Sequence, residues 1–344
     1  MIRTRPFYPS IGGLEAVMQM LAEEFTRAGH QVTVVTASEN TARDEFPYTV
    51  LRRPGFWRLF QTQCRADVVV LGNISLWWVL MLLVCPRPWI ATHHGWYVDT
   101  GRPVRWLDRL KMALAAFATA NVSVSHAVNR FLGNPGVVIP NPYDKDTFHL
   151  MPEVPRDRDL VFLGRLVSDK GADVLIDALG ILAQQKGLRP RLTVVGSGPE
   201  QRALEEQTAR LGLKDQVTFA GPKRGRELAE LLNAHRVMVI PSRWNEPFGI
   251  VALEGIACGC VIVCSAGGGL PEAAGECGIA FPNEDRQALA AATERVLHDH
   301  ALQDRLRSAR EEHLSRHQKP KIAEMYLSVI DRVAGLPSAH VPAR

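Results

Sequence analysis

The chain has 344 residues, 46% of them apolar, a formal net charge of +4 and six cysteines. That length exceeds one ordinary core and suits two domains of a globular protein. The mild charge and the lack of a basic stripe with stacking aromatics exclude a nucleic-acid-binding class, and no window approaches the roughly 18–20 uninterrupted apolar residues of a membrane span. The longest apolar run, residues 76–85, is closed by Pro86 and is expected to form a buried helix. Arg3, Arg5 and Pro6 lead into polar turn residues rather than an apolar segment, so no signal peptide is expected and the chain reads as cytoplasmic. The cysteines do not read as a disulfide framework; Cys258, Cys260 and Cys264 lie in an apolar stretch and are expected to be small core residues. Residues 1–150 hold 15 Lys and Arg against 11 Asp and Glu, and the rest holds 25 against 25. The first half carries the whole excess, which fits either an anionic partner on that side or an ordinary solvated surface.

Taken in order, Gly12-Gly13 followed by the periodic segment 16–28 predicts a loop and then an amphipathic helix, stopped by Gly29. Strands are expected at 31–36, 67–71, 89–92, 122–124 and 137–139, and helices at 75–83, 104–119 and 127–132. Strands alternating with helices predict a parallel sheet with crossover helices, whose ligands bind beyond the carboxyl ends of the strands. The Pro- and charge-rich stretch 152–159 reads as an interdomain linker. A second series follows: strands at 160–163, 191–195, 217–220, 237–241 and 261–264, with helices at 172–185, 200–211, 226–233, 286–298 and 321–333. The tail 337–344 is expected to fray.

The stretch Asn245-Glu246-Pro247-Phe248-Gly249-Ile250-Val251-Ala252-Leu253-Glu254 carries the strongest chemical pattern. Glu246 lies in a strand-to-helix loop and Glu254 inside the helix that the loop opens. A helix starting near Phe248–Gly249 presents free amides to an anion, with carboxylates beside and beyond it for hydroxyls. The plainer alternative is a dipole-complementing Glu and a solvated one. Gly164-Arg165-Leu166 with Lys170-Gly171 follows a strand and reads as a diphosphate clamp or as two solvated cations. Gly196-Ser197-Gly198 and Gly267-Gly268-Gly269 permit close backbone approach, but neither is a dinucleotide fingerprint. Asp144-Lys145-Asp146 resembles an Asp-x-Asp metal motif in the wrong setting, so no metal is assigned. His93 or His94, at a strand end, could bond a sugar; the plainer alternative is a satisfied buried histidine.

Together these motifs resemble family 4 of the retaining glycosyltransferases over nearly the whole chain. Glu246 through Glu254 looks like that family's Glu-x7-Glu motif, and Gly164-Arg165-Leu166 with Lys170-Gly171 like its phosphate-binding segment. Pro9-Ser10-Ile11-Gly12-Gly13-Leu14-Glu15 resembles its N-terminal glycine loop and Thr92-His93-His94-Gly95 its Thr-x-His-Gly, which selects His94. Ile139-Pro140-Asn141-Pro142 resembles its domain-boundary segment, with Pro142 in place of Gly, and Val195 to Pro199 and Leu270-Pro271-Glu272 also match.

The resemblance implies the GT-B fold, two Rossmann-like parallel-sheet α/β domains facing across a cleft. Residues 1–151 would form the acceptor side, 152–318 the donor-binding domain, and the helix within 319–336 would cross back. It implies sugar transfer, with retention, from a UDP- or GDP-linked donor to a glycan or lipid-linked acceptor in polysaccharide or glycolipid synthesis, without metal or other cofactor. Glu246, His94, Arg165 and Lys170 would form the catalytic set. Gly13, Gly164, Gly196, Phe248, Gly249, Ile250, Glu254 and Glu272 would bind the donor. The family's first strand is normally complete before the glycine loop, and Met1 to Arg5 barely supplies one. A sugar-nucleotide epimerase and a non-catalytic sugar-nucleotide-binding protein are the alternatives. Arg52, Arg53, Trp57, Arg58, Trp77, Trp78 and the stretch 102–111 fit peripheral docking on an anionic membrane, or equally core tryptophans and solvated arginines.

Overall fold

The computed structural model describes residues 1–8, 12–39, 45–98, 105–133 and 136–336. Residues 9–11 of the N-terminal glycine loop, residues 102–104 and the tail 337–344 lie outside the described residues. The chain divides into two compact units, Met1–Pro142 with Lys319–Arg344, and Tyr143–Gln318.

The first unit runs β1 (Ile2–Thr4), α1 (Gly13–Arg27), β2 (Thr33–Thr36), β3 (Thr49–Arg52), α2 (Phe56–Cys64), β4 (Val69–Gly72), α3 (Leu76–Val84), β5 (Trp89–His93), α4 (Trp106–Ala115), β6 (Ala120–Ser123), α5 (His126–Leu132) and β7 (Val137–Val138). Its sheet is parallel in the order β3-β2-β1-β4-β5-β6-β7. The short first strand is central: Ile2 pairs with Val34 on one side and Val70 on the other. Three residues suffice because both neighbours complete its ladder. Right-handed crossovers to neighbouring strands on the β4–β7 side put their helices on one face. There α3 buries Val79 and Leu82, and α4 Ala115, over Val69 and Leu71 of β4 and Trp89 and Ala91 of β5. Leu59 of α2 joins Met81 of α3 over Val35 and Leu51.

The second unit runs β8 (Arg158–Leu163), α6 (Ala172–Lys186), β9 (Leu192–Val195), α7 (Gln201–Arg210), β10 (Val217–Gly221), α8 (Gly225–Asn233), β11 (His235–Ile240), α9 (Ile250–Ala257), β12 (Val261–Ser265), α10 (Leu270–Ala274), β13 (Gly278–Phe281), α11 (Arg286–His298), α12 (His300–Ser308) and α13 (Arg310–Ser315). The sheet is parallel in the order β10-β9-β8-β11-β12-β13. Its central strands β8 and β11 are apolar after their first two residues, over 160–163 and 237–240, as burial on both faces requires, and α6 packs its buried stripe on them. Asp285 and Asp299 cap α11 and α12, accepting from Ala288 N and Leu302 N at 2.9 Å. The last helix, α14 (Lys319–Ala334), belongs to the first unit and packs on α1.

Three expectations need correcting. The boundary falls after Pro142, not within 152–159. That stretch is anchored in the second unit: Met151 N donates to Asn233 Oδ1 at 2.9 Å, and Arg156 donates to the carbonyls of His235 and Cys258 at 2.6 and 2.8 Å. The apolar run 76–85 forms a helix, but a half-exposed one, with Trp77, Leu80, Leu83 and Val84 open to solvent. Cys64 and Cys85 are joined as a disulfide between the ends of α2 and α3, which the sequence did not suggest. Cys258, Cys260 and Cys264 are buried and free, as expected, and Cys277 is as well.

Candidate functional site

In the second sheet the chain leaves β8 toward β9 on one side and returns through β11 on the other. The β8–β11 junction is therefore the point where the strand order reverses, and loops leaving two adjacent strands part there to open a crevice. Those loops carry Gly164 to Gly171 and Pro241 to Gly249.

The first loop is built backbone against backbone. Gly164 N donates to Val195 O, and Leu166 N to Ser197 O, both at 3.0 Å. Gly196 has φ +139, and a Cβ there would run into the Gly164 carbonyl, so only glycine lets the two turns approach. Gly171, at φ +67, faces the Pro241 carbonyl in the same way and starts α6. Lys170 is thereby held at the crevice, where it forms an ion pair with Glu246. Arg165 is exposed; its carbonyl accepts from Val167 N at 3.0 Å, and its guanidinium makes no hydrogen bond or ion pair among the described residues.

The second loop fixes Glu246 from several sides. Ser242 Oγ donates to Glu246 Oε1 at 3.0 Å, and the Glu246 carbonyl accepts from Gly269 N at 2.7 Å. Gly249 then takes φ +108 and caps α9 without a side chain, so the first amides of that helix keep their donor capacity. Phe248 is buried. Glu254 lies one turn on; burial, with the Asp144 charge adding, raises its pKa from 4.5 to about 7. Glu254 is therefore partly shielded rather than freely solvated. Glu272 lies in the short α10, which follows the second glycine loop.

Sequence reasoning missed the residues that brace these loops. Arg243 binds Asp173 through both guanidinium ends, one at 2.9 Å, and its backbone N donates to Asp169 O at 2.9 Å. Asn283 accepts from Gly267 N at 2.8 Å and donates to the Arg243 carbonyl at 3.2 Å, tying the two glycine-bearing loops together. The available signals were position alone: a cation three residues past the end of β11, and an Asn two residues past the end of β13.

In the first unit the strand order reverses between β1 and β4. The Gly12-Gly13 turn leads into α1 there, with Gly12 extended. The histidines at the end of β5, His93 within it and His94 just beyond, diverge as their adjacency requires. His93 is a satisfied core residue, 2.8 Å from Tyr97 Oη and 2.9 Å from Asn121 Oδ1, and burial lowers its pKa to about 4. His94 is positioned through its backbone N, which donates to Asn73 Oδ1 at 2.9 Å. Burial lowers its pKa to about 4 as well; His93 adds to this and the Asn141 side chain opposes it. Both ring nitrogens of His94 are enclosed without a well-formed hydrogen bond among the described residues. At neutral pH His94 is an uncharged imidazole that can donate and accept. Among the described residues no group of three or more His, Cys, Asp or Glu is arranged to hold a metal ion.

This two-sheet architecture is that of the GT-B glycosyltransferases. The chain superposes on Anabaena HepE in complex with UDP with a TM-score of 0.82 at 20% identity, over 96% of this chain and 99% of that one. It superposes on a sucrose-phosphate synthase from Thermosynechococcus elongatus with a TM-score of 0.77 at 24% identity, over 97% and 98%. Residues 11–147 match glycosyltransferase family 4 and residues 150–313 match glycosyl transferases group 1, so the chain belongs to the family 4 glycosyltransferases. A D-inositol 3-phosphate glycosyltransferase of Stackebrandtia nassauensis is 38% identical over 46% of this chain and 38% of its own. An uncharacterised glycosyltransferase of Methanocaldococcus jannaschii is 26% identical over 76% and 78%. The chain thus spans little more than a third of the former relative's length.

Proposed function

We propose that the chain transfers a sugar from a nucleoside-diphosphate donor to an acceptor hydroxyl, with retention and without a metal ion. The reading rests on one observation: the crevice at the reversal of the second sheet brings together Lys170, Glu246 and the uncapped amides of α9. UDP is the favoured nucleotide, because HepE is seen with UDP.

In this account the α9 amides from Gly249 to Ile250 and the close-set Gly164 and Gly196 turns receive the diphosphate, with Gly13 and Glu272 completing the donor contacts. Phe248, packed beneath, keeps the amides aimed. Glu254 receives the ribose hydroxyls. Arg165 and Lys170 stabilise the charge that grows on the diphosphate as the bond from the anomeric carbon to its oxygen breaks and the electron pair leaves with that oxygen. Glu246 steadies positive charge at the anomeric carbon, and His94 bonds a sugar hydroxyl. The acceptor oxygen forms its new bond from the face the diphosphate leaves, and its proton passes to the departing phosphate. Catalysis is then positional and electrostatic. The acceptor is a glycan or a lipid-linked sugar of a cell-surface polysaccharide or glycolipid, met at the cytoplasmic side.

The test is thermal stabilisation across nucleotides and sugar nucleotides, with and without chelator. A selective rise with one diphosphate that chelator leaves intact supports the reading; tenfold weaker stabilisation after chelation, or none with any nucleotide, contradicts it.

A further inference from the structure

Exposed large apolar side chains are unevenly placed in this protein. Among the described residues those of the second unit amount to Leu150, while the first unit exposes a whole series. Most of the series lies on α2, α3 and α4. These helices share one face of the first sheet, as their common buried clusters show, with α3 between the other two. Their outward sides carry Phe56 and Trp57 on α2, Trp77 and Leu83 on α3, and Trp106 on α4, followed by Phe117. Trp57, Trp77, Leu83, Trp106 and Phe117 are each 59–76% exposed, far more than a core requirement explains. On α3 the buried Val79 and Leu82 hold the sheet while the opposite stripe is equally apolar.

Charge indicates what covers this face. From Phe56 to Phe117 the sequence contains seven Lys and Arg against three Asp, as large an excess as that of the whole chain. Arg105 and Arg109 stand exposed beside Trp106 on α4. Tryptophan and arginine flanking aliphatic side chains suit the layer between lipid headgroups and acyl chains, where rings and guanidinium groups meet water at one end and hydrocarbon at the other. No helix among the described residues is long and apolar enough to cross a membrane, so the contact is peripheral.

We infer that the outward face of α2, α3 and α4 docks on an anionic bilayer surface, with Trp57, Trp77, Leu83 and Trp106 entering the interface and Arg105 and Arg109 bound to phosphate headgroups. This gives the lipid-linked acceptor of the proposed transfer its place of encounter, and its test does not depend on that transfer. Each basic residue near such a surface strengthens partitioning roughly fivefold, and salt weakens that share.

The experiment is co-sedimentation of the full chain with phosphatidylcholine vesicles, with and without roughly a third phosphatidylglycerol, the composition that supplies the negative surface potential. Binding is expected to the anionic vesicles, with at least about a 25-fold loss in Arg105→Glu/Arg109→Glu and a comparable loss in Trp77→Ser/Leu83→Ser. All four positions are exposed, so both variants should keep the wild-type melting temperature and the nucleotide-induced shift. That shift reports the donor site independently: its loss without loss of vesicle binding counts against the transferase reading, not the docking face. No binding to anionic vesicles at low salt, unaltered binding by the Trp77→Ser/Leu83→Ser variant, or a dimer that this variant dissolves would each overturn the inference.

Discussion

Glu254 offers the sharpest prediction, because its two roles oppose each other. Its pKa is raised from 4.5 to about 7, chiefly by burial and further by Asp144. The folded protein therefore binds this proton more tightly than the unfolded chain does. The stability contributed by the protonated group is complete below about pH 4.5 and is lost as the pH rises through about 7. At about 1.4 kcal/mol per tenfold, the loss is roughly 3 kcal/mol. Glu254→Gln removes the charge and keeps the shape. Above about pH 8 it should stabilise the second unit by roughly 3 kcal/mol, a rise in Tm of about 6–12 °C for a unit of this size, and near pH 4.5 the two proteins should melt together. The same variant should bind nucleotide more weakly, since ribose hydroxyls donate better to a carboxylate than to an amide. UDP affinity of the wild type should climb with pH up to about tenfold per pH step below 7, as binding expels the proton, and the variant should lose that slope. Differential scanning calorimetry with and without UDP, from acid to mildly alkaline pH, reads both. A variant whose Tm parallels the wild type at every pH would refute the buried-carboxylate argument, and unchanged UDP affinity would refute the ribose assignment.

Other consequences can be checked alongside. Arg165→Ala/Lys170→Ala should lower turnover at least about a thousandfold while the protein stays folded, measured as nucleotide release; near-normal activity would remove the phosphate clamp. Gly249→Ala places a Cβ against Leu270 at φ +108 and should destabilise by about 1–3 kcal/mol, with nucleotide stabilisation lost, read by thermal shift. Asn283→Ala leaves Gly267 N and the Arg243 carbonyl without a shared partner and should cost about 1–2 kcal/mol together with weaker donor binding; calorimetric affinity equal to wild type would show that the loops hold without it.

The alternation of apolar strands and amphipathic helices made both sheets legible, because parallel strands buried on two faces leave unbroken apolar runs such as Val237-Met238-Val239-Ile240. Strand β3 and helix α2 were not legible: residues 49–64 mix arginine, aromatics and polar groups, and their places come from pairing with β2 and from Leu59 reaching a shared cluster. The site was readable where chemistry sits at strand ends, as with Lys170 and Glu246. The bracing by Arg243, Asp173 and Asn283 was not, since it joins residues 70 or 40 positions apart through side-chain contacts that leave no local pattern. The half-exposed α3 misled for a related reason. Its composition is uniformly apolar, so periodicity could not separate the side that packs on the sheet from the side left open.

The proposed retaining transfer is tested most directly by following the anomeric proton by NMR while the chain, in chelator, consumes an α-linked UDP-sugar in the presence of a lipid extract or of water alone. The account predicts release of UDP and a first-formed product with the α configuration of the donor. A β-configured first product, or no release of nucleotide from any UDP- or GDP-linked donor, would contradict it.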